Sequence, residues 1–193
     1  AKSLNKKSDN DEFLKFKKKT INLFKKIKTK NIEIKKENKK YFAPKTILEL
    51  KKIIKKNLNA KFLSGGTDLS LEVTKARRDI NKIISLNSIK ELDFIKNKRN
   101  IIEVGAGTSL IKFEKYIKKY YPDFDAILKR YGSVQIRNVG TLAGNIATAS
   151  PIGDTLPLLL SLDAKIILNG IRNKEEIPIS EFFVSYRKTK IKK

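Results

Sequence analysis

One neutral segment of small side chains constrains the fold of this lysine-rich chain more than any other. Residues 133–157, SVQIRNVGTLAGNIATASPIGDTLP, contain two charged side chains, Arg137 and Asp154, in a chain with a formal net charge of +24. Small residues and hydroxyl-bearing residues fill most of the other positions. This mixture is typical of neither a helix nor a packed strand. Residues 139–154 of this segment, VGTLAGNIATASPIGD, predict an extended, neutral surface of exposed backbone against which a large ligand can lie.

An alternative for the same segment is a buried connection that packs under a helix. The density of hydroxyl groups disfavours this alternative, because buried hydroxyls need hydrogen-bond partners. Asp154, near the end of the segment, could instead accept a hydrogen bond from a ligand hydroxyl.

Helical and strand-like segments alternate along residues 41–193, with glycine turns at the strand ends. Thr46 can cap a helix whose apolar face begins at Ile47, and KIISL and AKIIL predict strands. LDFIKNKRNIIEV predicts a hairpin, and IKFEKYIKKYYPDF predicts one helix. This order predicts an α+β domain of two subdomains, about 41–90 and 91–193. Residues 1–40 predict a basic linker that contains one short helix and ends a preceding domain.

Two further glycine turns each follow a predicted strand. SGGTDL, residues 64–69, can form a nest of amide N–H groups for a phosphate, or it can be a tight turn with a helix cap. VGAGTSL, residues 104–110, has the first two glycines of a dinucleotide fingerprint but Leu110 in place of the third. A structural turn is therefore the favoured interpretation for VGAGTSL.

The composition excludes several classes of chemistry. The chain has no cysteine and no histidine, so it offers no thiolate metal site, no iron–sulfur cluster ligands and no histidine general base. No apolar run is long enough to span a membrane, and no secretory signal pattern is present, which predicts a cytoplasmic protein. The positive charge comes mainly from lysines scattered through every segment, which argues against a nucleic-acid interface. The absence of methionine and the start at Ala1 suggest a processed product or a fragment.

Two motifs together carry a resemblance to a known family. FLSGGTDL, followed further on by QIRNVGTLAGNIATASPIGDTLP, resembles the FAD-binding domain of the xanthine dehydrogenase and molybdenum hydroxylase family. EFFVSYRKT, residues 181–189, is similar to a downstream segment of the same family. Within that family, the chain resembles a fragment of the small subunit of bacterial xanthine dehydrogenases. The resemblance covers roughly residues 41–193.

The resemblance implies an FAD-binding PCMH-type (vanillyl-alcohol-oxidase-like) fold, with non-covalent FAD between the two subdomains. The first loop would hold the FAD pyrophosphate, an aromatic residue would precede the second motif, and the second motif would supply hydroxyl, amide and carboxylate contacts. Carried over in that order, the cofactor-binding residues are Phe62, Leu63, Ser64, Gly65, Gly66, Thr67, Asp68 and Leu69; Tyr131; and Thr141, Gly144, Asn145, Thr148 and Asp154.

The resemblance also implies the other components of the enzyme. The flavin would receive electrons from iron–sulfur clusters and a molybdenum cofactor on other domains or subunits, and it would pass hydride to NAD. The partners would be a molybdenum-cofactor subunit and an iron–sulfur domain in a hetero-oligomer, and the family's C-terminal domain would be absent from this chain. Two alternatives stay open. One is a related flavoprotein of the carbon monoxide dehydrogenase, aldehyde oxidase or hydroxybenzoyl-CoA reductase type; the other is a lysine-rich nucleic-acid-binding module without catalysis.

Overall fold

The chain divides into two compact units, residues 1–30 and residues 31–193. The computed structural model describes residues 12–27 and 30–191. The first unit contributes helix α1 (Glu12–Lys26), which confirms the helix predicted within the linker. The first eleven residues of that predicted linker lie outside the described residues.

A four-stranded sheet opens the second unit. Its strand order is β1-β2-β4-β3; the β1–β2 hairpin is antiparallel, whereas β4 runs parallel to both of its neighbours. Strand β1 lies within the residues predicted as linker, and it pairs along its whole length with β2. The elements in chain order are β1 (Ile32–Lys36), β2 (Lys39–Ala43), α2 (Ile47–Lys56), β3 (Lys61–Leu63), α3 (Leu69–Thr74) and β4 (Lys82–Ser85).

Helix α2 begins where the sequence predicts. The Thr46 hydroxyl accepts from the Glu49 amide, and the Glu49 carboxylate accepts in return from the Thr46 amide, so two amides that the helix itself cannot satisfy are paired. The hydrogen bonds from Asn31 and from the Lys45 and Thr46 amides lower the pKa of the Glu49 carboxyl. The cap therefore keeps Glu49 ionised at the positive end of the helix.

Helices and short hairpins make up the rest of the second unit. A single turn of 3-10 helix (Lys90–Leu92) leads into the β5–β6 hairpin, and the β7–β8 and β9–β10 pairs are likewise antiparallel. The elements are β5 (Ile95–Lys98), β6 (Ile101–Val104), α4 (Leu110–Ile117), α5 (Pro122–Arg130), α6 (Val134–Val139), α7 (Leu142–Thr148), α8 (Thr155–Ser161), β7 (Lys165–Asn169), β8 (Lys174–Pro178), α9 (Ile179–Phe182), β9 (Phe183–Ser185) and β10 (Lys188–Thr189).

The neutral segment 133–157 is helical, so the prediction of an extended surface is wrong. Helices α6 and α7 and the start of α8 occupy it, and α6 and α7 are six and seven residues long. Ser133 and Thr141 cap α6 and α7 with their hydroxyls. Because helices this short are not stable alone, packing of Leu142 and Ile146 in the core stabilises α7, and α6 is held by the hydrogen bonds of its buried Arg137 to the backbone after α5.

The single helix predicted for residues 111–124 is two helices. Helix α4 ends at Ile117, and Pro122 occupies the first turn of α5. Proline lacks the amide that a continuing helix would need, whereas the first turn of a new helix has no use for that amide.

The core of this region joins α4, α5, α7, α8, β8 and α9. Phe113 and Phe124 meet edge to face, with ring centroids 5.3 Å apart. In the part of the chain that the structure describes, no helix has the length and hydrophobicity required to cross a membrane. The core positions are Leu110, Phe113, Ile117, Phe124, Leu128, Leu142, Ile146, Leu159, Ile177, Ile179 and Phe182.

The left-handed backbone conformation of the β5–β6 turn can be tested by substitution. Arg99 and Asn100 form its two-residue loop with φ of 49° and 66°, a left-handed conformation that favours Asn-Gly. Replacing the pair by Arg99→Asn and Asn100→Gly should raise the free energy of unfolding by about 0.5–1 kcal/mol, measured by urea denaturation. Arg172→Asn, in an exposed turn where the residue does not have positive φ, is the control and should leave stability unchanged. An equal effect of both changes would contradict the turn geometry.

Candidate functional site

The two glycine motifs meet through their backbones. A Cβ atom at Gly65 would lie 2.1 Å from the Val139 carbonyl oxygen and 2.7 Å from the Gly140 Cα. Since neither contact involves a flexible side chain, only glycine fits at position 65. The loop after β3 and the connection between α6 and α7 are therefore in direct backbone contact, so the two motifs that carry the family resemblance lie side by side.

Thr141 joins three parts of this surface. Its hydroxyl oxygen accepts from the Gly144 amide at 3.0 Å and lies 3.4 Å from the donating Ser64 hydroxyl, 77 positions earlier in the chain. Thr141 also forms a β-bridge with Ser109, and the Leu110 amide donates to the Gly140 carbonyl at 2.8 Å. The start of α4 thus holds the second motif in place against the first.

The first loop presents backbone amides without side-chain bulk. Gly66 has φ of +74°, and residues 64–69 are all half-buried. Among the hydrogen bonds of the described residues, none uses the amide of Gly65, Gly66, Thr67 or Asp68 as its donor. Successive amides of this kind favour an anionic ligand.

The VGAGTSL turn has a structural role. A Cβ at Gly105 would lie 2.2 Å from the Leu92 carbonyl oxygen, and the Gly107 amide donates to that oxygen at 2.7 Å. The Thr108 hydroxyl donates to the Phe94 carbonyl at 2.9 Å. The glycines therefore pack the turn against the 3-10 helix, in agreement with the favoured interpretation, and α4 begins from this fixed point.

A chain of hydrogen bonds runs from Tyr131 through Asn145 to Thr155. The Asn145 amide nitrogen donates to the Tyr131 hydroxyl oxygen at 3.0 Å, and its oxygen accepts from the Thr155 hydroxyl at 2.6 Å. Both ends of the Asn145 side chain are thus engaged, which leaves one N–H and one lone pair for a ligand. The Tyr131 hydroxyl accepts in this chain, so its own proton can be donated elsewhere.

Two carboxylates act on Tyr131 electrostatically. Burial raises the pKa of the Tyr131 hydroxyl, and the negative charges of Asp154 and Asp68 raise it further, while the hydrogen bond from Asn145 lowers it. The structure therefore brings Asp68 of the first motif and Asp154 of the second to the same tyrosine. Neither carboxylate forms an ion pair with any described residue. Within residues 12–27 and 30–191, no acidic cluster is suited to hold a metal ion.

The remaining predicted residues lie around these contacts. The Thr67 hydroxyl oxygen is 3.7 Å from where a Gly140 Cβ would be, and a Cβ on Gly144 would lie 2.8 Å from the Thr141 hydroxyl oxygen. The Thr148 hydroxyl donates to the Gly144 carbonyl at 2.8 Å. Phe62 is 47% exposed on the edge strand β3, whereas Leu63 and Leu69 are half-buried.

Three residues of this arrangement were not predicted from the sequence as site residues. Thr155 is fully buried and orients Asn145, and Ser109 bridges to Thr141. Arg137 is buried beneath the Tyr131 turn. Thr155 and Ser109 lack a local signal, because their partners come from other elements; a lone arginine in a neutral segment was a signal for Arg137.

Comparison with known proteins follows the same motifs. Residues 32–193 match the family described as "FAD binding domain in molybdopterin dehydrogenase". The nicotinate dehydrogenase FAD-subunit of Eubacterium barkeri is 31% identical over 147 residues, which are 74% of this chain and 50% of that protein. The xanthine dehydrogenase of Blastobotrys adeninivorans is 36% identical over 170 residues, 80% of this chain and 12% of that protein.

A solved structure supports the same relationship. Carbon monoxide dehydrogenase from Hydrogenophaga pseudoflava, in a form that lacks the Mo-pyranopterin moiety of its molybdenum cofactor, superposes with a TM-score of 0.75 at 26% identity. The alignment covers 83% of this chain and 56% of that one. The chain therefore belongs to the FAD-binding domains of the molybdopterin dehydrogenases. The predicted family and the predicted α+β, PCMH-type fold are confirmed.

The residues present fit FAD. A diphosphate needs N–H donors and no side-chain bulk. The 64–69 loop offers backbone amides that donate no hydrogen bond within the described residues, and two of its residues are glycines, one of which has no room for a Cβ. A ribose or ribityl hydroxyl needs an acceptor, which an unpaired carboxylate such as Asp154 can supply. The site thus matches the two polar parts of the cofactor.

Gly65→Ala tests the contact between the motifs. The added methyl group would overlap the Val139 carbonyl, so the two backbones must separate, which should lower the free energy of unfolding by about 1–3 kcal/mol in urea denaturation. Gly170→Ala is the control, because its Cβ would come no closer than 3.1 Å to the Asn173 carbonyl oxygen in an exposed turn, so a shift of a few tenths of an ångström should accommodate it and the loss of stability should be much smaller. Equal stability of Gly65→Ala and the parent would show that the backbones are not in contact.

Asp154→Asn tests whether Asp154 and Tyr131 share one site. Removing the negative charge should lower the pKa of Tyr131, which stays above its ordinary value because the ring remains buried. Alkaline titration of the chain labelled with 3-fluorotyrosine measures the change, with Tyr131→Phe to assign the signal. Asp163→Asn is the exposed control. An unchanged Tyr131 titration in Asp154→Asn would separate the two residues.

Proposed function

We propose that this chain is the flavin-binding part of a molybdenum hydroxylase and holds one FAD, non-covalently, across the two glycine motifs. The loop of residues 64–69 would hold the diphosphate, and Asp154 would accept from a ribityl or ribose hydroxyl. The single observation that carries this proposal is the backbone contact of Gly65 with Val139 and Gly140, which makes one surface of the two motifs. Family membership supports the choice of FAD as ligand.

The chain's own residues would bind and orient the cofactor. Thr141 would keep the second motif in register with the first, and Asn145 would hold the Tyr131 hydroxyl in place while keeping one N–H for the ligand. The Tyr131 side chain would line the site near Asp68 and Asp154. The bound flavin supplies electron and hydride transfer, which no side chain of this chain can perform.

We further propose an enzyme of the xanthine dehydrogenase type, with NAD as the electron acceptor. The name and 36% identity of the Blastobotrys adeninivorans relative support this type. The nicotinate dehydrogenase relative, at 31% identity over 74% of the chain, favours a second candidate, an FAD subunit for oxidation of a nitrogen heterocycle such as nicotinate. The two candidates share the flavin site, and their substrate would be oxidised on another chain or domain.

The proposal includes partners and a domain arrangement. Subdomains of about 41–90 and 91–193 would enclose the flavin, with strand β1 added to the sheet of the first, and the residues before β1 would lead from a preceding domain. Iron–sulfur clusters and a molybdenum cofactor on other domains or subunits would deliver electrons in a hetero-oligomer. The Eubacterium barkeri relative, which is named as an FAD-subunit, supports this division of labour. A cytoplasmic location stays a prediction from the sequence.

The purified chain, reconstituted with FAD and passed through gel filtration, should retain one FAD per chain. Asp154→Ala should lose FAD because the hydroxyl acceptor is removed, whereas Glu175→Ala, which removes an exposed carboxylate from β8, should retain it. Under anaerobic conditions NADH should bleach the visible absorption of the bound flavin, as expected if NAD is the acceptor.

Each arm of this experiment can fail separately. A parent chain that binds no FAD contradicts the flavin proposal, and equal retention by both variants contradicts the role of Asp154. Bound flavin that dithionite bleaches but NADH does not contradicts the assignment of NAD.

A further inference from the structure

Arg137 is a buried arginine on α6 that contacts both α4 and the end of α5. It is 8% exposed. Its Nη1 donates to the carbonyl oxygens of Gly132 at 2.9 Å, Tyr131 at 3.1 Å and Lys129 at 3.4 Å. These carbonyls belong to the end of α5 and the turn after it, where a helix leaves its last oxygens without partners. One guanidinium nitrogen thus replaces the helix's missing donors.

The other side of the guanidinium faces α4. Arg137 Nε lies 3.2 Å from Glu114 Oε2, and the Glu114 side chain is only 13% exposed. The two side chains form an ion pair, but these two atoms are not aligned for a hydrogen bond. Neither buried atom has a hydrogen-bond partner among the described residues. Because Glu114 neutralises the charge, the arginine can stay buried while its Nη1 serves the α5 carbonyls.

These contacts end at the backbone of Tyr131. Gly132, with φ of +53°, turns the chain sharply just after it, so the Tyr131 ring depends on where the 131–132 carbonyls are held. The ring's hydroxyl meets Asn145 on α7, and Asp154 and Asp68 act on it from the two motifs. Arg137 forms no hydrogen bond or ion pair with Asn145, Asp154 or Asp68, which all lie in the described part of the chain.

We infer that Arg137 is a positioning residue of the cofactor site: by binding the carbonyls of Tyr131 and Gly132 it sets the place of the Tyr131 ring. The effect on the flavin rests on the proposed function, whereas the effect on Tyr131 does not. Lysine cannot replace the arginine, because its single ammonium cannot face Glu114 and the carbonyls of α5 through separate nitrogens.

The first experiment needs no flavin. In the full chain labelled with 3-fluorotyrosine, Arg137→Lys should shift or broaden the fluorine NMR resonance of Tyr131, assigned with Tyr131→Phe, and leave the other tyrosines unchanged. Arg130→Lys, on the exposed end of α5, is the matched control and should leave Tyr131 unchanged. A folded Arg137→Lys protein with an unchanged Tyr131 resonance overturns the inference.

If Arg137→Lys does not fold, a second variant tests the same inference. The double change Glu114→Gln and Arg137→Met leaves no buried charge without its partner, but it still removes the donors to the α5 carbonyls. The Tyr131 resonance should shift in this protein as well. An unshifted resonance in the folded double variant likewise overturns the inference.

The effect on the cofactor is measured by a double-mutant cycle. Arg137→Lys should raise the Kd for FAD roughly tenfold in the parent and less than about twofold in a Tyr131→Ala background, because Arg137 acts through Tyr131. An equal increase in both backgrounds would show that Arg137 acts through general stability, and this overturns the inference. A parent that binds no FAD overturns the proposed function instead, and the fluorine resonance still decides whether Arg137 positions Tyr131.

Discussion

The close approach of the Gly65 backbone to the Val139 carbonyl is the constraint on which the rest of the site depends. Because backbone meets backbone, no repacking of side chains can restore the contact once a Cβ intervenes. The contact joins a loop that leaves an edge strand of the sheet to a connection between two short helices. Ligand groups recognised by these two distant segments can therefore belong to one molecule.

Helix α4 is the element that keeps the second motif where the first can meet it. Its first amide, at Leu110, holds the Gly140 carbonyl, and Glu114 one turn later faces Arg137. The buried face of the helix packs in the core, while Lys112 and Lys115 lie on its other faces. Arg137 is thus a buried cation with a fixed partner, whereas most lysines of this strongly basic chain are solvated.

Much of the fold could be predicted from local signals, whereas the pairing of the motifs was implied only by the family resemblance. The Thr46 cap, the β5–β6 hairpin and the strand before SGGTDL depend on neighbouring residues, so the sequence displays them directly. The helices of residues 134–148 were missed, because α7 depends on distant core partners and α6 on the contacts of Arg137 with the end of α5, and neither depends on helix propensity. The role of Thr155 was missed for a similar reason, since only the fold brings it to Asn145.

Thr141 gives the site a mechanical property that follows from its two hydrogen bonds. The same hydroxyl oxygen receives the Ser64 hydroxyl of the first loop and the Gly144 amide of α7. A movement that pulls the first loop away takes one of the two donors from the oxygen that caps the helix. A molecule that holds the first loop in place would keep this donor on the oxygen and so help to fix the Thr141 side chain that caps α7.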